Sequence, residues 1–293
     1  MRILCIGECM VELALQENGD YHRSFAGDTF NTAVYLAREN SLDEVCYFTS
    51  VGDDEISREM LTEMQQQGLN TKFIQRSLDK TVGLYMIQTD SVGERSFSYW
   101  RSDSAARKMF ATYPPAALLE AISPDLIYLS GISLAILPDH DRQSLLDCLG
   151  GLAVPVAFDP NYRPRLWQNQ SVAQAACVAA AGAATYLLTT LDDDQRLWGL
   201  STMDEAMVHW QSITNAELVI KNGPGPVRLS HSVVTEVLPV AVPTPIDTTG
   251  AGDAFNAVYL SNRLKGVSPE LAVSAANQFC AEVVMCRGAI LPG

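Results

Sequence analysis

Six short, almost wholly apolar runs punctuate this chain, and each stops at a glycine or a charged residue. They are Ile3–Ile6, Val45–Val51, Leu126–Ser130, Val154–Phe158, Tyr186–Leu191 and Leu218–Ile220. Runs this short and this apolar read as strands buried on both faces. Helical patterns separate them, over about 53–67, 116–123 and 171–184, and again after residue 253 and from Pro269 to about Cys286. Alternation of strand and helix from end to end predicts the α/β class, with a mainly parallel central sheet and helices on both faces. The 293 residues are read as one domain, 1–293.

Four further stretches carry a different pattern. Met10–Leu15, Tyr21–Phe25, Thr81–Gln88 and Arg95–Arg101 alternate apolar and polar residues, and Thr89–Glu94 between the last two is a glycine-containing loop. Strands polar on one side suit a small, half-exposed sheet outside the parallel core. We expect a β lid built from about 10–26 and 81–102, placed to keep water from a reacting group. Alternation puts Tyr99 and Arg101 on one face of its last strand and Trp100 on the other.

Charge narrows the partners. A formal net charge of −14 argues against nucleic acid, which needs a basic face. No apolar run reaches the roughly 18 residues that span a bilayer, and Met1–Gly7 is punctuated too soon by Glu8 to be a signal peptide. The seven cysteines are scattered without Cys-x-x-Cys spacing, so reduced core thiols and a cytoplasmic setting are expected.

The stretch richest in chemistry is Asp247-Thr248-Thr249-Gly250-Ala251-Gly252-Asp253-Ala254-Phe255. Three prolines in 237–246 force an extended approach, while Ala254, Phe255, Val258 and Tyr259 recur at helical spacing behind it. Gly250, Ala251 and Gly252 therefore sit at a helix N-terminus, where small residues let an anion reach the backbone N–H groups. Asp253 would repel that anion unless it has a task. The task that fits is taking the proton of a hydroxyl that attacks a phosphoryl group. An early-helix carboxylate complementing the dipole is the competing explanation. If Asp253 is catalytic, the helix dipole should make it a weak base.

Other residues admit two readings each. Arg163, in Asp159-Pro-Asn-Tyr-Arg-Pro-Arg-Leu-Trp167, is either an anion clamp past a strand or part of a rigid loop held by Asp–Arg pairing. Tyr99 and Arg101, with Tyr85 one strand back, suit a small hydroxylated acid, because Arg grips carboxylate bidentately. A solvated charge on an edge strand is the alternative. Asp192-Asp193-Asp194 suggests either a divalent cation or an ordinary acidic helix N-terminus. Asp28 and Asn31, in a polar loop leading into a helix, are explained equally by capping.

The nonapeptide resembles the second signature of the ribokinase-like (phosphofructokinase-B type) carbohydrate kinases, and the likeness runs through the whole chain in family order. It implies a ribokinase-like fold, ATP and Mg²⁺ as cosubstrate and metal, and a sugar as acceptor. Ala26-Gly27-Asp28-Thr29-Phe30-Asn31 is similar to the family's sugar-gripping loop, with Ala26 in place of its first glycine. Gly27, Asp28 and Asn31 are carried over from it. Tyr99-x-Arg101 and Asn161-Tyr-Arg-Pro-x-Leu-Trp167 resemble the branch acting on 2-keto-3-deoxygluconate. There Arg163 bridges substrate and phosphoryl group.

For the nucleotide the resemblance implies Asn161, Thr190, Lys221, Gly223, Gly225 and Asn277, together with the 250–252 turn. Core packing of Asn277 and a plain turn at 222–225 remain alternatives. The family's Asn-x-x-Glu, tied to magnesium through water, falls on Thr190 and Asp193, which keeps the carboxylate and loses the amide. The implied function is phosphorylation of the sugar acid's 6-hydroxyl. A fructokinase, a ribokinase or an idle regulator are the other readings, and an exposed lid edge invites pairing into a homo-oligomer. No Gly-x-Gly-x-x-Gly follows the first strand, so a dinucleotide dehydrogenase is excluded.

Overall fold

A computed structural model describes residues 1–16, 18–39, 43–89, 95–231 and 233–292. Arg2–Ile6 forms the first strand, β1, with four buried side chains in a row, as a sheet covered on both faces requires. The chain then leaves the core for β2 (Met10–Leu15) and β3 (Tyr21–Ala26) and returns through helix α1 (Asp28–Glu39) to β4 (Glu44–Phe48). The apolar run expected as one strand over 45–51 is broken. Thr49 separates β4 from a short β5 (Ser50–Gly52), which pairs with β6 (Gln75–Ser77) after helix α2 (Glu55–Gln66). Strands β7 (Leu84–Thr89) and β8 (Arg95–Trp100) follow, and residues 90–94 of the expected loop lie outside those described.

The rest is strand–helix alternation. Helix α3 (Pro115–Ile122) precedes β9 (Leu126–Ser130), after which come α4 (Gly131–Ile136) and α5 (Asp139–Gly150). Then follow β10 (Val156–Asp159), α6 (Gln170–Ala183), β11 (Tyr186–Thr190), α7 (Leu191–Trp198), α8 (Met203–Gln211) and β12 (Glu217–Lys221). Strands β13 (Val227–Ser230) and β14 (Val234–Val237) and helices α9 (Ala251–Leu264) and α10 (Pro269–Val283) complete it. Helix α4 is buried at every position, so its sequence carries no amphipathic period to betray it.

Among the described residues the main sheet has eight strands, in the order β14-β13-β12-β11-β10-β9-β1-β4. The six from β12 to β4 are parallel, and β13 and β14 run antiparallel at one edge. Pleating divides the side chains between two cores. Leu4, Ile6, Phe48, Ile127 and Phe158 face α3 to α8, while Ile3, Cys5, Tyr47, Tyr128 and Val219 face α1, α2, α9 and α10. The strand order reverses between β1 and β9, and ligands of open parallel sheets gather at the C-terminal strand ends near such a reversal. Glu8, Asp159, Thr190 and Lys221 stand at those ends.

The second sheet has the order β3-β2-β7-β8. It is mixed, since β2 and β7 run parallel while its outer pairs are antiparallel. Tyr21, Phe97, Tyr99 and Trp100 are exposed on it, in keeping with the half-polar pattern of these stretches. All seven cysteines are free. No helix among the described residues is long and apolar enough to cross a membrane.

Candidate active site

The turn before α9 is built by its neighbours. Asp247 accepts from Thr249 N (2.7 Å) and from Gly288 N (2.9 Å), stitching the turn to the segment that follows α10. Gly250 has φ +75°, and a Cβ there would lie 2.6 Å from the Ala289 carbonyl oxygen, so only glycine fits. Helix α9 starts at Ala251, and the N–H groups of its first turn have no acceptor within the helix. Ala251 N makes a longer contact to Thr248 O (3.3 Å). Gly252 lies over Lys221: its Cβ would stand 4.0 Å from the ammonium nitrogen. A fixed cation beneath an amide-lined turn is a strong anion-binding combination.

Asp253 is held from the opposite side. Asn31 Nδ2 donates to its carboxylate (2.8 Å), and Thr32 Oγ1 donates to its carbonyl (3.2 Å), which docks α1 on α9. Asn31 lies in the first turn of α1, which begins at Asp28, so both residues are helical where a loop is expected. Burial pushes the Asp253 carboxyl well above the ordinary range, with Asp28 and then Asp159 adding to the rise. The Asn31 hydrogen bond and Lys221 oppose it. Burial and like charge thus act on Asp253 in the direction opposite to the helix dipole.

A buried network supports this pair. Lys221 Nζ donates to Asp159 (2.9 Å) and Asn256 (2.8 Å). Asn256 in turn donates to Asp159 (2.7 Å) and Tyr128 OH (3.0 Å), and the latter accepts from Thr32 (3.3 Å). Asp159 also accepts from Asn161 N (2.9 Å), and the Asn161 amide donates to Asp28 (2.9 Å). Five elements converge here, and Lys221 is the ammonium that counterbalances Asp159. Asp159 and Asn256 are absent from the sequence candidates. Asn256 follows Asp253 by three residues, one helical turn, and that spacing is the signal that could have found it.

Two arginines take separate anchors. Arg163, half-exposed, bonds Asp193 (3.2 Å) and its neighbour's carbonyl, Tyr162 O (3.0 Å). Asp193 also takes Thr190 Oγ1 (2.9 Å), and burial raises its carboxyl against the pull of Arg163. Arg101, by contrast, is buried against Glu8, so the edge-charge explanation fails for it. It lies one residue past β8, with Tyr99 half-exposed and stacked on Tyr85 (centroids 5.7 Å). Tyr85 OH bonds Glu12, which also accepts from Ser24 (2.9 Å). Gly27 links this corner to Asp253: a Cβ there would meet the Glu8 carbonyl oxygen at 2.1 Å, and its N–H donates to Asn31 (3.4 Å).

Between the small sheet and the turn lies a cavity of about 790 Å³, lined by Glu12, Ala14, Ser24, Asp247, Thr249 and Ala289 among others. Arg101, Arg163 and Asp253 are not on its wall.

With a glycine turn, an adjoining carboxylate and a half-open second sheet in place, comparison with known proteins is decisive. A model of the pfkB family of carbohydrate kinases matches residues 1–292. The chain belongs to the pfkB family. It is 41% identical to the 2-dehydro-3-deoxygluconokinase of Dickeya dadantii, over 99% of this chain and 96% of that protein. Identity to the Escherichia coli K12 protein of the same name is 38%, over 99% and 97%. Among solved structures, aminoimidazole riboside kinase from Salmonella enterica, complexed with its riboside and an ATP analog, superposes with TM-score 0.83 at 22% identity, covering 99% of this chain and 95% of that one. A Thermotoga maritima 2-dehydro-3-deoxygluconokinase gives 0.84 at 18%, over 99% and 96%. These likenesses show the ribokinase-like fold.

In this pfkB kinase the three consecutive acids point to different partners. Asp192 is exposed, Asp193 serves Thr190 and Arg163, and Asp194 is buried under Thr189 Oγ1 (2.9 Å) and Trp210 Nε1 (2.9 Å). The acids diverge because consecutive helix residues point about 100° apart. No cluster of three metal-ligating side chains exists among the described residues. Gly223 (φ +51°) and Gly225 form the turn after β12, next to Lys221. Asn277 is buried on α10 with its amide toward Leu238 O (3.4 Å).

Proposed function

We propose that this pfkB kinase transfers the γ-phosphoryl group of ATP to the 6-hydroxyl of 2-keto-3-deoxygluconate, the sugar acid also called 2-dehydro-3-deoxygluconate. The reaction rests on one observation above others: Asp253, desolvated and tied to Asn31, stands at the mouth of the amide turn over Lys221. The sugar oxygen attacks the γ-phosphorus, its proton passes to Asp253, and the bond to the β-phosphate oxygen breaks to release ADP. Amides of 250–252 and the Lys221 ammonium stabilise charge on the phosphates. Arg163, swinging from Asp193, neutralises the transferred group.

Asn161, Thr190, Gly223, Gly225 and Asn277 are proposed to line the nucleotide, although the Asn277 amide faces Leu238 and would have to turn. Mg²⁺ bound to the nucleotide phosphates would supply further neutralising charge, and Asp193 is the carboxylate proposed to hold it through water. That fits the habit of Mg²⁺ to keep waters and use one or two protein carboxylates.

The acid is read by Arg101 with Tyr85 and Tyr99, while Gly27, Asp28 and Asn31 grip the sugar. A neutral ketose or ribose gives a buried Arg101 no anion to meet, which favours the acid. The small sheet acts as the lid of a single domain, its β8 edge is where copies of the chain would pair, and the free thiols suit a cytoplasmic setting. A coupled ADP-release assay across 2-keto-3-deoxygluconate, fructose and ribose tests this. Preference for the acid is expected. Equal or better turnover of a neutral sugar sinks the assignment.

A further inference from the structure

Arg101 does not reach its place alone. Its guanidinium, 8% exposed, meets the Glu8 carboxylate, whose side chain is wholly buried. Glu8 belongs to no recognised motif. It stands directly past β1, where the chain leaves the main sheet for the small one. Its second oxygen accepts the Ser104 hydroxyl. Ser104 N bonds Arg101 O (3.3 Å), and Ala105 N bonds Thr81 O (2.8 Å). Gly83 lies against Glu8 and Arg101 alike. Glu8 is therefore clamped where β7 and β8 join the main body, and its backbone rests on Gly27 of the proposed sugar loop.

The guanidinium offers five donors in one plane. Glu8 Oε2 faces Nη2, and both that oxygen and Arg101 Nε are buried with no hydrogen-bond partner. Unmade bonds on a buried ion pair are costly, and they leave the guanidinium with donors to spare. A carboxylate matches an edge of a guanidinium in shape and charge. Arg is always charged, and without Glu8 its cation would be buried uncompensated and free to turn.

We propose that Glu8 is the positioning residue through which the kinase selects an acid: it holds the Arg101 guanidinium in the place where it meets the substrate carboxylate. This deepens the sugar-acid reading and depends on it. Glu8 acts through Arg101 and not on the reacting atoms, so its effect must vanish when Arg101 is gone.

A double-mutant cycle reads that directly. kcat and KM for 2-keto-3-deoxygluconate and for ATP would be measured for wild type, Glu8→Ala, Arg101→Leu and the double variant. Glu8→Ala should lower kcat/KM for the acid about 10–30-fold, chiefly through KM and with little change in KM for ATP. In the Arg101→Leu background the same change should cost less than about threefold. Glu8→Gln keeps the shape and the Ser104 contact, and carries the cycle if Glu8→Ala does not fold. Additive losses, or a loss confined to kcat and thermal stability, would overturn the proposal. Failure of the wild type to prefer the acid over fructose and ribose would count instead against the reading of function, and is seen before any variant is made.

Discussion

The two halves of the proposed site are finished to different degrees by their own residues. Around Asp253 the chain satisfies itself: Asn31, Asp159, Lys221, Asn256 and Tyr128 form a closed set of bonds at helix starts and strand ends. Around Arg101 it does not. Arg101 Nε and Glu8 Oε2 both lack hydrogen-bond partners, and Phe97, Tyr99 and Trp100 are exposed on the adjoining strand. The first half belongs to a sheet covered on both faces, and the second to a four-stranded sheet with an open edge. Charge transfer tolerates little reorganisation, so its groups are held in advance. Recognition of a particular sugar acid can be left to a part that completes itself on the ligand.

That contrast can be broken at either end. The largest effect is expected from Asp253→Asn, which should cut turnover roughly 10²–10⁴-fold while leaving the Michaelis constant for ATP nearly unchanged. Steady-state kinetics with ATP varied at saturating acid decides it, and retained turnover would remove Asp253 from the mechanism. Lys221→Met strips the ammonium from buried Asp159 and should cost about 3–5 kcal/mol of folding stability. Denaturant titration would show this, and an unchanged midpoint would mean the preassembled half is looser than its hydrogen bonds imply.

Arg101→Leu should act on the other half, raising KM for the acid about 10–100-fold with a far smaller effect on a neutral ketose. The smallest expected effect concerns pH. Burial lifts the Asp194 carboxyl to about 7. Because the folded state holds that proton more tightly than the unfolded chain, Asp194 favours folding in acid. That contribution is lost as pH rises from about 4 through about 7. Asp194→Asn keeps an acceptor for Trp210 and should flatten the stability profile between pH 5 and 8 by roughly 1–2 kcal/mol. A profile as steep as the wild type's would place the titrating group elsewhere.

The same contrast governs what could be read in advance. Buried parallel strands announce themselves as apolar runs, and the glycine turn with Asp253 stands out because few purposes explain that combination. The six parallel strands and the separate small sheet were legible for this reason, whereas the half-exposed edge strand β14 has no apolar run to announce it. Helix α4 was not, since an element buried all round has no period. Local reading also stops at the strand ends, where partners come from afar. Asp159 and Lys221 are 62 residues apart, and Asn31 and Asp253 are 222 apart. The rise in the Asp253 carboxyl depends on burial and on such neighbours, which a dipole argument made from α9 alone leaves out. Glu8 was visible only as the residue that ends a strand.

The segment that underlies Gly250 has a consequence for how the enzyme comes into being. Ala289 abuts Gly250 and accepts from Tyr35 OH (3.0 Å), while Leu291 is bound by Tyr35 and Arg38. The phosphate turn is thus braced by residues that leave the ribosome nearly forty positions after it. A nascent chain stalled short of them can hold a complete parallel sheet and still lack the buttress for Gly250.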